Sequence, residues 1–215
     1  MTTAMQAKAL KAQNSPALWA VVVLDILLVM FIAMGAAALS DLPMSRAVLI
    51  RASLMGLAPV IVLLLNPLIP SSIKAVFVFW RLKYVLPGHR AFSKHALHDA
   101  RIDLVKLKKN VGVFPADQKE QNTKWYALFK KVENDPAVQQ VHKQFLLLRD
   151  LAVLSILLLV GSVIAALVGL IPASAFAAVA GLFGVQYLLS ALGARFQGNG
   201  LVCSVLALHS VKRRV

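Results

Sequence analysis

Long apolar stretches alternate along the chain with short polar or proline-containing segments. Four stretches, at residues 17–39, 47–66, 151–171 and 173–193, are each close to 20 residues long and carry very few charges. About 20 consecutive apolar residues are enough for a helix to cross the hydrocarbon core of a bilayer. The pattern therefore predicts an all-α integral membrane protein with four transmembrane helices.

The segment between the second and third stretches has a different pattern, in which apolar residues recur at helical spacing among many charges. Residues 91–109 and 117–132 each place apolar groups along one face. Asp135-Pro136 predicts the start of a further helix, because Asp is a good cap and Pro fits the first turn. No helix-breaking residue follows before Asp150, so we expect this helix to continue into the third transmembrane helix. A helical domain is thus predicted between transmembrane helices 2 and 3.

Two shorter segments lie beside these elements. Residues 73–86 are apolar but short, and Lys and Arg interrupt them, which predicts a helix lying on the membrane surface. Gly198-Asn199-Gly200 predicts a turn after the fourth transmembrane helix. Residues 201–211 then form a short apolar helix that we expect to fold back on the inner surface or on the basic domain.

The distribution of Lys and Arg orients this layout. Every Lys and Arg except Arg46 and Arg51 falls on one side of the four predicted spans. Cytoplasmic segments carry an excess of these residues, so both termini and the basic domain are predicted to face the cytoplasm at a bacterial inner membrane. The predicted division is a cytoplasmic N-terminus (1–16), a transmembrane hairpin (17–69), a basic helical cytoplasmic domain (70–149), a second transmembrane hairpin (150–194) and a basic cytoplasmic tail (195–215).

Composition agrees with this interpretation. Hydrophobic residues make up 59% of the chain and charged residues 15%, and the formal net charge is +14. The cations flank the predicted spans, where anionic lipid attracts each one by about 1 kcal/mol, so membrane lipid is a better predicted partner than nucleic acid. A single cysteine, Cys203, excludes an intrachain disulfide. Phosphate-binding, dinucleotide and zinc-protease motifs are absent from the sequence, and we predict neither an enzyme nor a cofactor.

Asp25 is the most unusual residue of the predicted spans. It lies about eight residues into the first apolar stretch, or ~12 Å at the rise of a helix. A carboxylate at that depth is costly and usually marks a functional site. Gln186 and Tyr187 lie at a similar depth in the fourth stretch, so we predict that Asp25 meets Gln186, or Tyr187, in a buried polar layer. The layer would serve either as a packing hydrogen bond, or as a path for protons or cations or a gate.

Small residues repeat every four positions in the last two spans. This spacing lets helices approach closely where lipid supplies no hydrophobic drive. We expect the stripe either to pack the hairpin on itself or to form the interface of a homo-oligomer. Its members are Gly161, Ala165 and Gly169 in the third span and Ala173, Ala177 and Gly181 in the fourth.

The basic domain combines cations with aromatic rings. Guanidinium groups and stacking rings suit a nucleotide or a phosphate-bearing lipid, whereas a solvated helix face is the simpler alternative. His89, His95 and His98 with Asp99 do not form a full zinc ligand set, so no metal site is predicted. The candidate binding residues are Arg90, Arg101, Lys106, Lys108, Lys109, Trp125 and Tyr126.

The four-span layout resembles that of small membrane subunits in bacterial anti-phage systems, which sense membrane disturbance or damage the membrane with a cytoplasmic partner. The first hypothesis is a self-associating membrane sensor, anchor or effector with a basic domain that engages lipid, a ligand or a cytoplasmic protein. The predicted continuity of that domain with the third span favours it. The alternative is a small ion channel or transporter with Asp25 in the permeation path. A lipid-acting enzyme using Asp99, Asp103 or a histidine has the least support.

Overall fold

The computed structural model describes residues 3–39 and 46–211, and within these ranges the chain is helical and contains no strand. Single turns of 3-10 or π type lie at Asn66–Leu68, Pro87–Arg90 and Ala91–His95. The α-helices are α1 (Thr3–Leu39), α2 (Arg46–Leu65), α3 (Ser71–Phe79), α4 (Ala96–His98), α5 (Leu104–Val111), α6 (Gln118–Val132), α7 (Pro136–Leu167) and α8 (Ala173–Val211).

Three helices of the described chain are long and apolar enough to cross a membrane. They are α7, α8 and the segment Ala9–Ile32 of α1. Leu57–Leu68 and Ser71–Phe79 form a pair bent by 114°, which would be a fourth span only if both parts cross as one unit. The expectation of an all-helical chain with membrane-spanning character is confirmed for three helices, whereas the fourth span and the cytoplasmic position of the inserted segment remain predictions.

Two helices begin where the sequence predicts. Asp117 caps α6, since its carboxylate accepts a hydrogen bond from the backbone N–H of Glu120 at 3.0 Å. Asp135 caps α7 in the same way through the N–H of Ala137 at 3.0 Å, with Pro136 in the first turn. From there α7 continues for 32 residues without a break. The predicted continuity of this helix with the third apolar stretch is confirmed.

The helix predicted over residues 91–109 is interrupted between α4 and α5. Asp99 accepts a hydrogen bond from the N–H of Arg101 at 2.9 Å, a local side-chain contact that competes with helical bonding. Asp103 then caps α5 by accepting from the N–H of Lys106 at 3.0 Å. The expectation of one uninterrupted helix is therefore wrong, because two aspartates offer the backbone alternative hydrogen bonds.

The turn predicted at residues 198–200 and the separate short helix after it are also wrong. α8 passes straight through them and reaches Val211. A Cβ added at Gly198 would lie 2.8 Å from the Phe79 ring and 3.2 Å from the Phe145 ring. Gly198 thus allows close approach of packed helices, and this packing outweighs the weak helix propensity of glycine.

The surface helix predicted over residues 73–86 is shorter and more buried than expected. α3 ends at Phe79, where Trp80 adopts a left-handed conformation with φ of 52°. Its side chains Ala75, Val78 and Phe79 are buried against α7 and α8. The helix is part of the packed core, and the residues after it form an exposed loop.

The buried apolar side chains form three cores. α7 and α8 contribute residues to all three, so these two helices form the axis of the fold. The bundle core contains Val22, Val29, Leu63, Leu154, Leu158, Ile171, Ala175, Val179 and Phe183. The junction core contains Leu10, Ala75, Val78, Phe79, Phe145, Leu146, Ala152, Ala191 and Ala194. The basic-region core contains Ala91, Phe92, Ala96, Ile102, Leu107, Trp125, Leu128, Phe129, Val132, Val138, Leu201, Val202, Val205 and Leu206. We call residues 87–132 the basic region.

Candidate functional site at the helix junction

A buried ionic cluster lies beside the junction core. Lys74 of α3 is only 2% exposed, and its Nζ lies 3.1 Å from Asp150 Oδ1 and 2.6 Å from Asn66 Oδ1. The neighbouring Arg149 donates to the same Asp150 oxygen from Nε at 3.1 Å and from Nη2 at 2.9 Å. Two cations therefore share one carboxylate, and the cluster keeps an excess positive charge.

The cluster joins elements that are distant in sequence. Asn66 follows α2 directly, and its Nδ2 donates to the backbone carbonyl of Asp150 at 3.3 Å. In α1, the Nδ2 of Asn14 donates to the carbonyl of Lys143 at 2.9 Å. Buried side chains from α1, α3 and the α2–α3 turn are thus bound to one section of α7. This arrangement fixes the bend between α2 and α3.

A cavity of about 860 Å³ lies next to the cluster. Its basic side chains are Lys11, His89, His142 and Arg149, and none of the residues that line it in the described chain is Asp or Glu. Most of the other lining residues are apolar or aromatic. They include Ala75, Tyr84, Val85, Leu86, Trp125, Tyr126, Phe129, Phe145, Leu146 and Leu201.

Two polar features face this apolar surface. Ser71 and Ser72 line the cavity at the first turn of α3, which begins after Pro70 without a side-chain cap. The N–H groups of an uncapped first turn lack helical partners, and this end of a helix favours anions. Trp125 also lines the cavity, is 9% exposed, and its indole Nε1 has no hydrogen-bond partner among the described residues. The lining of the cavity thus combines apolar surface with the uncapped first turn of α3.

A smaller cavity of about 330 Å³ lies near the ionic cluster. Asn66, Lys74 and Asp150 line it together with residues of α1 and α2. Lys11 lines both cavities. This lysine therefore lies between the large cavity and the cluster and adds a third cation to the junction.

Of the two predicted partners of Asp25, the structure brings Gln186 into contact. Asp25 is 2% exposed, and Gln186 Nε2 lies 3.4 Å from its Oδ2 within the bundle. Tyr187 does not join this pair. Its hydroxyl donates to the carbonyl of Phe77 at 2.9 Å and accepts a hydrogen bond from Trp80 Nε1 at 2.9 Å. Tyr187 thus holds the end of α3 against α8.

The predicted small-residue stripe does not pack α7 against α8 within one chain. Gly161 and Gly181 are exposed, and a Cβ added at either would meet nothing within 4 Å. Ala173 and Ala177 are also exposed. The stripe therefore does not pack the hairpin on itself, which was one of its two predicted roles. The oligomer interface remains a prediction.

The other two members of the stripe lie near the end of α7. Ala165 is partly buried against the bundle core. Gly169 lies beyond the helix with φ of +74°, in a turn where Leu170 N–H donates to the carbonyl of Ala165 at 2.8 Å. Glycine is needed there for its backbone conformation. α7 and α8 approach closely at a different place, where a Cβ added at Gly193 would lie 3.1 Å from Leu148.

The predicted ligand-binding residues are divided between two places. Trp125 and Tyr126 line the large cavity, but the five cations do not. Arg90 Nη1 donates to the carbonyl of Tyr84 at 3.1 Å, near the cavity rim. The remaining contacts lie on the surface of the basic region: Arg101 pairs with Asp99 at 2.7 Å, Lys106 pairs with Asp103 at 3.0 Å, and Lys108 and Lys109 are exposed on α5.

Charged neighbours and burial shift the pKa values of Asp99 and His95 in the basic region. The Arg101 guanidinium holds the pKa of Asp99 well below its usual range. Burial, aided by the nearby cations Arg90 and Lys94, lowers the pKa of His95 from 6.5 to about 4. His95 is therefore neutral at physiological pH and is part of the packed interior.

The histidines do not converge on one point. The Nδ1 of His89 lies 3.0 Å from the carbonyl of Gln118, and the Nδ1 of His98 lies 2.7 Å from the carbonyl of Lys94. Among residues 3–39 and 46–211, no group of three His, Cys, Asp or Glu side chains is arranged to hold a metal ion. The contacts of His89 and His98 are local ones with backbone carbonyls.

Comparison of the chain with protein-family models, with curated proteins and with solved structures gives no match. The site must therefore be interpreted from its own geometry. Sequence reasoning missed Lys11, Lys74, Arg149 and Asp150 as a group. The signal for this group was a common position, since Asn66, Lys74 and Asp150 all lie where apolar segments begin or end on the same side of the predicted spans.

Proposed function

We propose that this chain is a membrane-embedded sensor or anchor subunit whose basic region faces the cytoplasm of a bacterial inner membrane. The observation that carries this proposal is the continuity of α7 and α8 through all three cores. Each is a single helix of more than 30 residues. A ligand, lipid or protein bound by the basic region would therefore act on the bundle through two stiff elements.

The ionic cluster supports the same proposal. Breaking a buried ion pair by removing one partner costs about 3–5 kcal/mol. The cluster binds α3 and the end of α2 to α7, so a displacement of α7 at the junction would carry these elements with it. The junction is the natural point for transmission between the two ends of the molecule.

Self-association is part of the proposal. Gly161 and Gly181 leave open space on the bundle surface, where small residues permit close approach of a second helix. The proposed interface is one between copies of this chain. A role in anti-phage defence remains a prediction from the layout of the sequence.

Binding of the basic region to an anionic surface is tested with the full chain in nanodiscs of neutral lipid. Lys108→Glu with Lys109→Glu should reduce flotation with added anionic vesicles several-fold, because both side chains are exposed on α5. Lys119→Glu with Lys131→Glu changes the net charge equally on α6 and is the matched control. Equal losses of flotation in both variants would show only a non-specific attraction between the vesicles and the positive charge of the protein. No loss in either would contradict this role.

The Asp25–Gln186 contact favours one second candidate, a channel or transporter. Asp25 is buried in the bundle, and Gln186 Oε1 has no hydrogen-bond partner in the described chain. Such a pair suits transient binding of a proton or cation. Asp25→Asn should then abolish ion flux in proteoliposomes, with Asp99→Asn as the control. Absence of flux in the unmodified protein, or flux unchanged in Asp25→Asn, would exclude Asp25 from a permeation path.

A further inference from the structure

We propose that the large junction cavity binds one anionic membrane phospholipid, with the phosphate beside Lys11 and Arg149 and an acyl chain along the apolar wall. This inference rests on the proposed membrane setting and deepens it by naming the class of ligand. Three independent properties of the cavity carry the proposal: its size, its charge and its position.

The cavity is large enough and has the right surface. Its volume of about 860 Å³ lies in the range of about 300–1,000 Å³ that is typical of ligand sites. Leu86, Phe145, Leu146 and Leu201 provide an apolar wall. An acyl chain placed there would bury apolar surface, at roughly 25 cal/mol per Å².

The charge of the lining is complementary to a phosphate. Lys11 and Arg149 are cations, and none of the described lining residues carries a carboxylate. The nearby carboxylate of Asp150 is already shared by Lys74 and Arg149, so it does not cancel the excess charge. Ser71 and Ser72 add the uncapped first turn of α3, which is a favourable position for a phosphate group.

The position of the cavity matches the headgroup level of a membrane. Residues of both the junction core and the basic-region core line it, and Tyr84 and Leu86 on its rim are 44% and 40% exposed. The adjoining loop alternates apolar and basic residues, and Leu82 is 88% exposed. Loops of this composition suit the membrane interface, where a lipid can enter from the side.

Tryptophan quenching by brominated lipid tests occupancy directly. The chain has three tryptophans, so Trp19→Phe with Trp80→Phe leaves Trp125 in the cavity wall as the sole fluorophore. The variant is reconstituted in mixed phosphatidylcholine and phosphatidylglycerol vesicles in which only one of the two lipids is brominated. We expect at least twofold stronger quenching when the anionic lipid carries bromine.

Two single substitutions separate the cavity from general surface charge. Lys11→Gln should remove the preference for anionic lipid, whereas Lys83→Gln, in the neighbouring exposed loop and outside the cavity lining, should retain it. Equal quenching by both brominated lipids would overturn the proposal, as would equal effects of the two substitutions. Reversal of quenching by soluble glycerol phosphate would assign the cavity to a free phosphate compound and would also overturn it.

Native mass spectrometry of the unsubstituted chain provides a measurement that does not depend on the tryptophan variant. One bound anionic lipid should survive detergent exchange, and it should be lost from Lys11→Gln but kept by Lys83→Gln. Absence of bound lipid from the unsubstituted chain would contradict the proposal. Both readouts report occupancy alone, so a failure of vesicle flotation with lipid still bound would count against the proposed function and not against this site.

Discussion

The helix junction and the basic region both contain ion pairs, but they place them in opposite environments. Lys74 and Asp150 meet at 3.1 Å with side chains only 2% and 10% exposed. Arg101 and Asp99 meet at 2.7 Å, yet the Arg101 side chain is 59% exposed. Removing one partner of the first pair would leave a buried charge without a counter-charge, whereas water screens the second pair, so the shorter contact is the less costly one to break. Burial, and not distance, decides how much the loss of one partner costs.

The largest expected effect follows from removing the shared carboxylate. Asp150→Asn leaves Lys74 and Arg149 buried without a counter-charge, and the free energy of unfolding should fall by about 3–5 kcal/mol. Denaturant titration of the purified chain in mixed micelles measures this. Adding Lys74→Met to Asp150→Asn should recover part of the loss, because one unpaired cation disappears. If the losses of unfolding free energy caused by Asp150→Asn and by Lys74→Met simply add, the two residues do not belong to one shared cluster.

A second comparison uses two glycines of the same helix. Gly198→Leu places a side chain against Phe79 and Phe145 in the junction, and overpacking of this kind costs about 1–3 kcal/mol. Gly181→Leu has open space around it and should leave unfolding unchanged while reducing the particle size in detergent. If Gly181→Leu alters neither property, the proposed interface between copies is wrong.

The basic region should lose stability on mild acidification. The pKa of His95 is lowered from 6.5 to about 4, so the unfolded chain binds a proton first as the pH falls. The free energy of unfolding should therefore decrease between pH 6.5 and 4, by up to about 3 kcal/mol from His95. Burial also lowers the pKa of His142, whose ring contacts Phe129, to about 4, so His95→Gln should weaken this dependence without abolishing it, and His98→Gln should not weaken it. The same pH dependence in both variants would exclude His95 as its source.

The smallest expected effect concerns the exposed pair. Arg101→Gln should change the free energy of unfolding by only about 0–1 kcal/mol. The difference should shrink further in 1 M salt, because exposed charges are screened. A loss comparable to that of Asp150→Asn would show that the contrast between the two regions is incorrect.

Local signals in the sequence predicted local structure well. Asp117 and Asp135 marked helix starts through caps that the structure contains. The apolar stretches predicted the membrane-spanning character of α1, α7 and α8. Depth along two spans also suggested the Asp25–Gln186 pair, which lies in contact. Each of these inferences depends on a few neighbouring residues or on one regular repeat.

Features set by distant contacts were not predictable in the same way. Lys74 appeared to be a surface residue because its partner, Asp150, is 76 positions away. Gly198 appeared to belong to a turn because its packing against Phe79 is invisible in a local window. The helix break at Asp99 is local instead, because the Asp99 side chain accepts from the N–H of Arg101, an effect that apolar periodicity does not register. Tertiary packing and side-chain hydrogen bonds, not propensity, decided these positions.

The central claim is that α7 and α8 join the basic region and the bundle into one stiff unit. Val105→Cys and Val185→Cys on a Cys203→Ser background place spin labels at two exposed positions. Pulsed electron paramagnetic resonance in nanodiscs then measures the distance between the two labels. We expect one narrow distance distribution, and a second broad component when Gly200→Pro interrupts α8. A broad or multiple distribution in the uninterrupted chain would contradict the claim.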